Sequence, residues 1–428
     1  MSNLSPELLP LIQNNRLPGL DLGPGFSYPD YSGQSILNLP STITDLLGVP
    51  PFGKHTLRSE ITSQLGGRYQ RIILLLVDAL SLHRFQNWLQ EPDFAIWNEL
   101  MGSGLLAPMT SVVPSTTCAA LTSIWTGKSP AEHGIVGYEL WLKEYGMVAN
   151  MITHAPFSFE GQAGSLRYAG FVPTGFLSSA TLGSHLATAG VGSYGLQPSS
   201  VLGSGLSDMF LPNVTRIGYH STSDLCISLR QLIEVQSRQR MFVYAYWSQV
   251  DTLSHKYGPE DERVRYEFAD LSRAFEKLLI AKLPAHLKQG TLVLLAADHG
   301  QVRTEKDPRY DLRNHPNLTR RLHMQPTGEN RLIYLYIKPG QIEAVREYVE
   351  RTWPNQFALL ESAYAQEVGL FGSGSVSPRL SERLGDLILV ARGSAYLWWG
   401  AKENPLIGRH GGLTPEEMLV PFLAAPLA

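Results

Sequence analysis

Arg71-Ile-Ile-Leu-Leu-Leu-Val-Asp78-Ala79 is the stretch on which the fold turns. An unbroken apolar run of this kind reads as a strand buried on both faces, the mark of a parallel sheet covered by helices on either side. A carboxylate follows as the run ends, and in open α/β sheets ligands bind outside the carboxyl ends of the strands. The plan recurs twice. Met241-Phe-Val-Tyr-Ala-Tyr-Trp-Ser-Gln-Val-Asp251-Thr-Leu-Ser-His255 leads an apolar strand into an Asp and a His that share a face if that segment is helical. Thr291-Leu-Val-Leu-Leu-Ala-Ala-Asp298-His299-Gly300 ends with Asp and His side by side. The expected fold is α/β, a central and mostly parallel sheet flanked by helices, with a site along the strands' carboxyl edge.

Between these strands lies Val112-Val-Pro-Ser-Thr-Thr-Cys-Ala-Ala-Leu-Thr-Ser-Ile-Trp-Thr-Gly-Lys-Ser-Pro-Ala-Glu-His-Gly-Ile135. It places hydroxyls just ahead of a short helical run, Cys118 to Trp125, which Thr126 and Gly127 close. A helix start offers free N–H groups and a positive dipole end, so an anion can rest there against an attacking hydroxyl. Ser and Thr cap helices everywhere, and the stretch alone says little. It gains meaning from the acids and histidines around it. Arg409-His410-Gly411-Gly412 adds a third histidine near the end of the sequence. Asp78, Asp251 and Asp298 with His255, His299 and His410 are the carboxylates and imidazoles that two adjacent divalent metals need.

The ordered set resembles the alkaline phosphatase superfamily and, within it, the type I phosphodiesterase/nucleotide pyrophosphatase family. That family's Pro-Ser/Thr-x-Thr motif, running on to Thr-Gly and Pro-x-x-His-Gly-Ile, matches Pro114 to Thr117, Thr126-Gly127 and Pro130 to Ile135. Its Asp-x-x-x-His, Asp-His-Gly and final His-Gly match Asp251 with His255, Asp298 to Gly300, and His410-Gly411. The chain also resembles phosphonoacetate hydrolases and, more distantly, cofactor-independent phosphoglycerate mutases. The register of the first motif implies Thr117, rather than Thr116, as nucleophile. The resemblance implies one metal held by Asp78, Asp298, His299 and the Thr117 oxygen, and another by Asp251, His255 and His410. Zinc is expected because imidazoles join carboxylates at both sites, and the same ligands accept manganese. The implied reaction is two-metal hydrolysis of a small-molecule phosphoester or phosphonate, a phosphodiester above all, through a phospho-threonine intermediate. A phosphonate hydrolase, a phosphomutase and a metal-binding protein without catalysis are the alternatives. Three departures bear on substrate. Cys118 stands where the nucleotide pyrophosphatases carry a base-stacking aromatic residue. Tyr138 stands where the family has a phosphate-binding Asn, which makes its hydroxyl a candidate substrate contact. No Arg or Lys presents itself as a clamp for the extra oxygen of a monoester; Lys128 and Lys143 lie nearest in sequence.

Composition agrees with an ordinary globular protein, at 43% hydrophobic and 17% charged residues. A net charge of −3 gives no reason to expect nucleic acid or an anionic membrane as partner. Two cysteines form no disulfide framework, and the first residues lack a basic, then apolar, leader, so a cytoplasmic protein is expected. The oligomeric state is left open. Residues 1–69, rich in Pro and Gly, are read as an N-terminal arm packed on the core. Residues 70–300 and 385–428 are read as the catalytic core, 138–240 as its substrate-facing insertion, and 301–384 as an inserted α+β subdomain. Within this scheme Asp386 to Ala391 is expected to return to the main sheet. Pro259 to Leu283 is expected to be an amphipathic helix, with Val264, Phe268, Leu271, Phe275 and Leu278 on its buried stripe.

Overall fold

The computed structural model describes residues 2–157 and 161–427. Its main sheet has eight strands, in the order Ser2–Asn3, Leu105–Thr110, Leu419–Pro426, Thr291–Ala296, Arg71–Val77, Met241–Trp247, Gly192–Pro198 and Thr215–Tyr219. All neighbours run parallel except Leu419–Pro426, which is antiparallel to both of its partners. The three central strands that end in Asp-bearing segments are buried along their whole length, which is why their sequences run apolar without alternation. They are aligned so that Leu75 pairs with both Leu295 and Ala245. The segments following these strands therefore emerge at one edge. The fold is the mostly parallel, helix-flanked α/β sheet that the apolar runs predict.

Helix Glu262–Ala274, capped by Asp261, passes into a π-turn at Phe275–Ile280. Val264, Phe268, Leu271 and Phe275 are buried as expected, but Leu279 rather than Leu278 takes the next core position. The π-turn carries one extra residue per turn and so advances the stripe by one. Residues 1–69 do more than lie on the core. Ser2–Asn3 extends the main sheet, helices Ser5–Asn14, Leu39–Leu47 and Ser59–Leu65 follow, and Leu8, Ile36, Ile43 and Ile61 are fully buried.

A second sheet of seven strands is antiparallel throughout, in the order Phe357–Glu361, Leu387–Ala391, Leu332–Leu335, Thr327–Glu329, Glu139–Leu142, Met147–Asn150 and Ala155–Pro156. It corrects two expectations. Residues 387–391 do not return to the main sheet; they lie between Leu332–Leu335 and Phe357–Glu361, so the second sheet extends past 384. The segment 138–240 is not one insertion either. Its first strands join the second sheet, while Gly192–Pro198 and Thr215–Tyr219 widen the main one. Residues 158–160 of that segment lie outside the described residues. The two halves of the second sheet meet where Gly328 pairs with Glu139. Helix Ile342–Thr352 packs Val345 and Val349 into a separate apolar core with Ile333, Leu335 and Leu389. No helix among the described residues is long and apolar enough to cross a membrane.

Candidate active site

Asp78 follows directly on the strand Arg71–Val77, and its own N–H donates to the Trp247 carbonyl at 3.0 Å. Asp298 stands beside it, its Oδ1 accepting from the Ala79 N–H at 3.2 Å and the His299 N–H at 3.0 Å. The Tyr246 hydroxyl donates to Asp78 Oδ2. Their remaining oxygens, Asp78 Oδ1 and Asp298 Oδ2, are buried and have no hydrogen-bond partner. Each lies close to His299 Nε2, at 3.4 Å and 3.5 Å. Burial raises both carboxyls above their ordinary range; for Asp78 the charges of Asp298 and Asp251 add to it. Bare carboxylates crowded together in this way are costly unless a cation joins them.

Asp251 and His255 lie on helix Gln249–Tyr257, where a spacing of four residues puts them on one face. His255 Nε2 is 3.2 Å from Asp251 Oδ1, and His410 Nε2 is 3.8 Å from the same oxygen. Burial would raise Asp251, but His255, His410 and His299 hold it below its ordinary range. The ring of His299 stacks on that of His410 with centroids 3.9 Å apart.

The three imidazoles share one arrangement. Nδ1 of His255, His299 and His410 lies 2.9, 2.9 and 3.1 Å from the backbone carbonyls of Gly408, Gly300 and Ser115. A carbonyl can only accept, so in each neutral ring the proton sits on Nδ1 and the Nε2 lone pair is free to bind a metal. Ligand atoms of Asp78, Asp298 and His299 all lie within 4.8 Å of one another, and so do those of Asp251, His299 and His410. The donor set therefore fits divalent ions: orphaned carboxylate oxygens, free Nε2 atoms, and His299 between the two groups.

Thr117 is the first residue of helix Thr117–Thr126 and is nearly buried, its Oγ1 lying 3.1 Å from His299 Nε2. Thr116 is the N-cap but makes no capping bond from its side chain, which leaves the first-turn amides uncovered. The Thr116 hydroxyl is bonded to Glu329 instead. Two glycines are required by close approach. A Cβ on Gly300 would meet the Glu416 carbonyl oxygen at 2.0 Å, and one on Gly411, where φ is +107°, would meet Glu329 Cβ at 2.5 Å.

Thr117, Asp251, His255 and His410 open onto a cleft of about 420 Å³ that runs onto the second sheet. Tyr138 is on its wall, but its hydroxyl accepts from the Asn150 side chain and burial pushes it up to about 12. Among the described residues, Arg409 is the one Lys or Arg that lines the cleft. Its guanidinium donates to Thr304, Asn404 and the Leu406 carbonyl, and stacks on Tyr396 at 3.8 Å. Lys143 pairs with Glu382, and the arginines at 309 and 313 pair with Asp307 and Asp311. Sequence reasoning missed Glu139, Glu329, Trp398 and Trp399, which line the cleft with these residues. Only the Trp-Trp-Gly run at 398–400 carried a local signal.

An α/β sheet with carboxylates, imidazoles and a helix-borne hydroxyl at its carboxyl edge defines a metal-dependent phosphoester hydrolase of the alkaline phosphatase superfamily. The family model described as type I phosphodiesterase/nucleotide pyrophosphatase matches residues 72–413, and the chain belongs to that family. Among solved structures, the murine ectonucleotide pyrophosphatase/phosphodiesterase 5 is similar with a TM-score of 0.61 and 17% identity, over 83% of this chain and 87% of that one. Phosphonoacetate hydrolase from Sinorhizobium meliloti 1021, in complex with phosphonoformate, is similar at 0.58 and 16%, over 82% and 89%. These identities speak to fold. No curated protein matches the sequence.

Proposed function

We propose that the protein is a phosphodiesterase that works through a phospho-Thr117 intermediate. The observation that carries the reading is the convergence of Thr117 Oγ1, 3.1 Å from His299 Nε2, with the orphaned carboxylate oxygens of Asp78 and Asp298 beside the cleft-lining Asp251 and His410. Asp78, Asp298, His299 and Thr117 would hold one divalent ion, and Asp251, His255 and His410 the other, with zinc preferred over manganese. Such a pair supplies positive charge to the phosphate oxygens and lowers the pKa of a bound hydroxyl. The chain's own part is positioning. The helix start presents Thr117 and its free amides to the phosphate, and Tyr246 orients Asp78. Thr117 Oγ gives its proton to water and bonds to phosphorus while the ester oxygen leaves with its electron pair and takes a proton from water. A second water then breaks the threonyl ester from the opposite side, releasing the monoester and restoring the hydroxyl. A solved structure of the murine relative, an inactive threonine-to-alanine variant in complex with AMP, supports a threonine in this role. Two buried, free cysteines, Cys118 and Cys226, support a reducing compartment such as the cytoplasm.

The diester preference rests on the cleft. A monoester dianion brings one more charged oxygen, usually met by a free cation, and Arg409 has both terminal guanidinium nitrogens engaged elsewhere. With metal-loaded protein, kcat/KM should be higher for bis-p-nitrophenyl phosphate than for p-nitrophenyl phosphate or phosphonoacetate. A clear preference for either of the latter ends the diesterase reading. Hydrolysis in labelled water must place solvent oxygen in the phosphate product, which a phosphomutase would not do.

A further inference from the structure

The Pro130 to Ile135 motif has no part in the proposed chemistry, yet its His133 lines a second pocket, of about 280 Å³, whose walls include none of the metal ligands. Nδ1 of His133 accepts from the Ile135 N–H at 3.0 Å, and its Nε2 lies 3.0 Å from Ser123 Oγ, on the helix that begins at Thr117. Burial, with the Arg383 charge, holds this imidazole neutral, down to about 3. The pocket's own charge comes from Arg383, which is 4% exposed and donates from Nη1 to the Gly134 carbonyl at 2.6 Å. A Cβ on Gly134 would stand 2.7 Å from that nitrogen and 2.8 Å from Ser377 Oγ, so the guanidinium and the Ser377 hydroxyl face one spot. The other edge of the guanidinium, Nε with Nη2, is unfilled. Nε is buried and has no hydrogen-bond partner, and Nη2 is 3.6 Å from Glu144 Oε1, too far for a hydrogen bond. Arg331 uses this same edge to grip both oxygens of Glu417.

A buried guanidinium with its forked edge open is costly until an oxyanion fills it. The charges nearby set the valence of that anion. Arg379 and Lys143 share Glu382, and Arg383 faces Glu144, so three cations stand against two carboxylates. One excess positive charge matches a monoanion, and the Nε–Nη2 spacing matches the two oxygens of a carboxylate. The Phe176 ring lies under the guanidinium at 5.0 Å, and Tyr145, Val172 and Pro378 add apolar wall, which calls for an apolar body behind the charged group. We propose that this pocket is a second ligand site, separate from the metal cleft, that takes a small aromatic or aliphatic carboxylate on the free edge of Arg383. The site does not depend on the phosphodiesterase reading, because its recognition groups lie outside the cleft.

Calorimetry on the metal-loaded protein tests this with benzoate, its neutral isostere benzamide, and the dianion phenyl phosphate. Benzoate should bind at least about tenfold more tightly than benzamide, the size of one charge-assisted contact. Arg383→Lys keeps the charge but removes the fork, and should weaken benzoate by about tenfold. Ser377→Asp leaves Arg383 in place and sets a fixed negative charge beside it; it should weaken benzoate as much while circular dichroism stays unchanged. That half-exposed position guards against a loss caused by misfolding in Arg383→Lys. Phenyl phosphate bound at the metals should be indifferent to both substitutions. The proposal is overturned if benzoate does not bind, if benzamide binds equally well, or if Ser377→Asp leaves benzoate binding untouched. It is overturned equally if phenyl phosphate outcompetes benzoate and loses its affinity in the same two variants, which would make the pocket a phosphate site. Since binding is read without turnover, failure of the phosphodiesterase reading leaves each of these outcomes decisive.

Discussion

Removing the guanidinium of Arg331 should unsettle both the fold and the His410 loop. Arg331 sits in the turn between the strands Thr327–Glu329 and Leu332–Leu335, and Glu417 in the short helix Pro415–Met418 that follows His410; both side chains are wholly buried. They form a paired contact, with Arg331 Nε and one terminal nitrogen at 2.7 and 3.0 Å from the two Glu417 oxygens. Arg331 also donates to the Ala395 carbonyl at 2.5 Å. Glu417 in turn holds the Gly412 N–H at 2.8 Å, the Thr414 N–H at 3.1 Å and the Thr414 hydroxyl at 2.8 Å. Arg331→Met leaves that carboxylate buried without its cation. Breaking a buried pair from one side costs about 3–5 kcal/mol, a large part of the ~5–15 kcal/mol that holds a typical domain together. Arg331→Met with Glu417→Gln removes both charges and keeps one acceptor oxygen, so it should recover about half of the loss. Urea unfolding followed by tryptophan fluorescence and near-UV circular dichroism gives each value, and the double-mutant cycle gives the coupling. The single variant should also retain less divalent metal, because the loop carrying His410 is tied down through Glu417. A loss below about 1 kcal/mol in Arg331→Met, or a double variant no better than the single, would refute the reasoning.

Other consequences follow from the site. Elemental analysis should find two divalent ions per chain, and chelator should abolish turnover and lower thermal stability, since ligands bound only by the folded state stabilise it; a metal-free protein indifferent to chelator contradicts the donor geometry. Thr117→Ala should eliminate activity with the fold retained on circular dichroism. Thr116→Ala should cost far less, since its hydroxyl serves Glu329; the reverse order would put the nucleophile one residue earlier. Glu139 gives a pH signature. Its folded value near 8 lies above the ordinary 4.5, so the folded state holds a proton that the unfolded chain has released. Its contribution is full below pH 4.5 and is lost as pH rises toward 8, by about 3–5 kcal/mol. Glu139→Gln should flatten that decline, and identical pH dependence in variant and parent would show that the carboxyl is not held neutral.

Asp78, Asp251 and Asp298 were legible because each comes shortly after a continuous apolar strand gives out. The runs before Asp78, Asp251 and Asp298 read as strands covered on both faces, and adjacent parallel strands deliver their ends to one edge. The second sheet offered no such sign. Leu387–Ala391 is as apolar as the main-sheet strands and fully buried, so its pattern says that it is interior without saying to which sheet it belongs. Its neighbours are settled by pairings such as Ile333 with Leu389, which only the tertiary arrangement supplies. The same holds for the far wall of the cleft. Glu139 and Glu329 are 190 residues apart in sequence and become neighbours through one strand pairing, Gly328 with Glu139. Each alone reads as a surface acid, the usual state of a glutamate. What makes them unusual is the company of Trp399, Tyr138 and each other in a cleft shared with Thr117. The metal-binding groups are thus written locally, in residues that strand ends must bring together, whereas the wall of the cleft is assembled across a sheet whose two halves lie on either side of the Asp298-His299 motif.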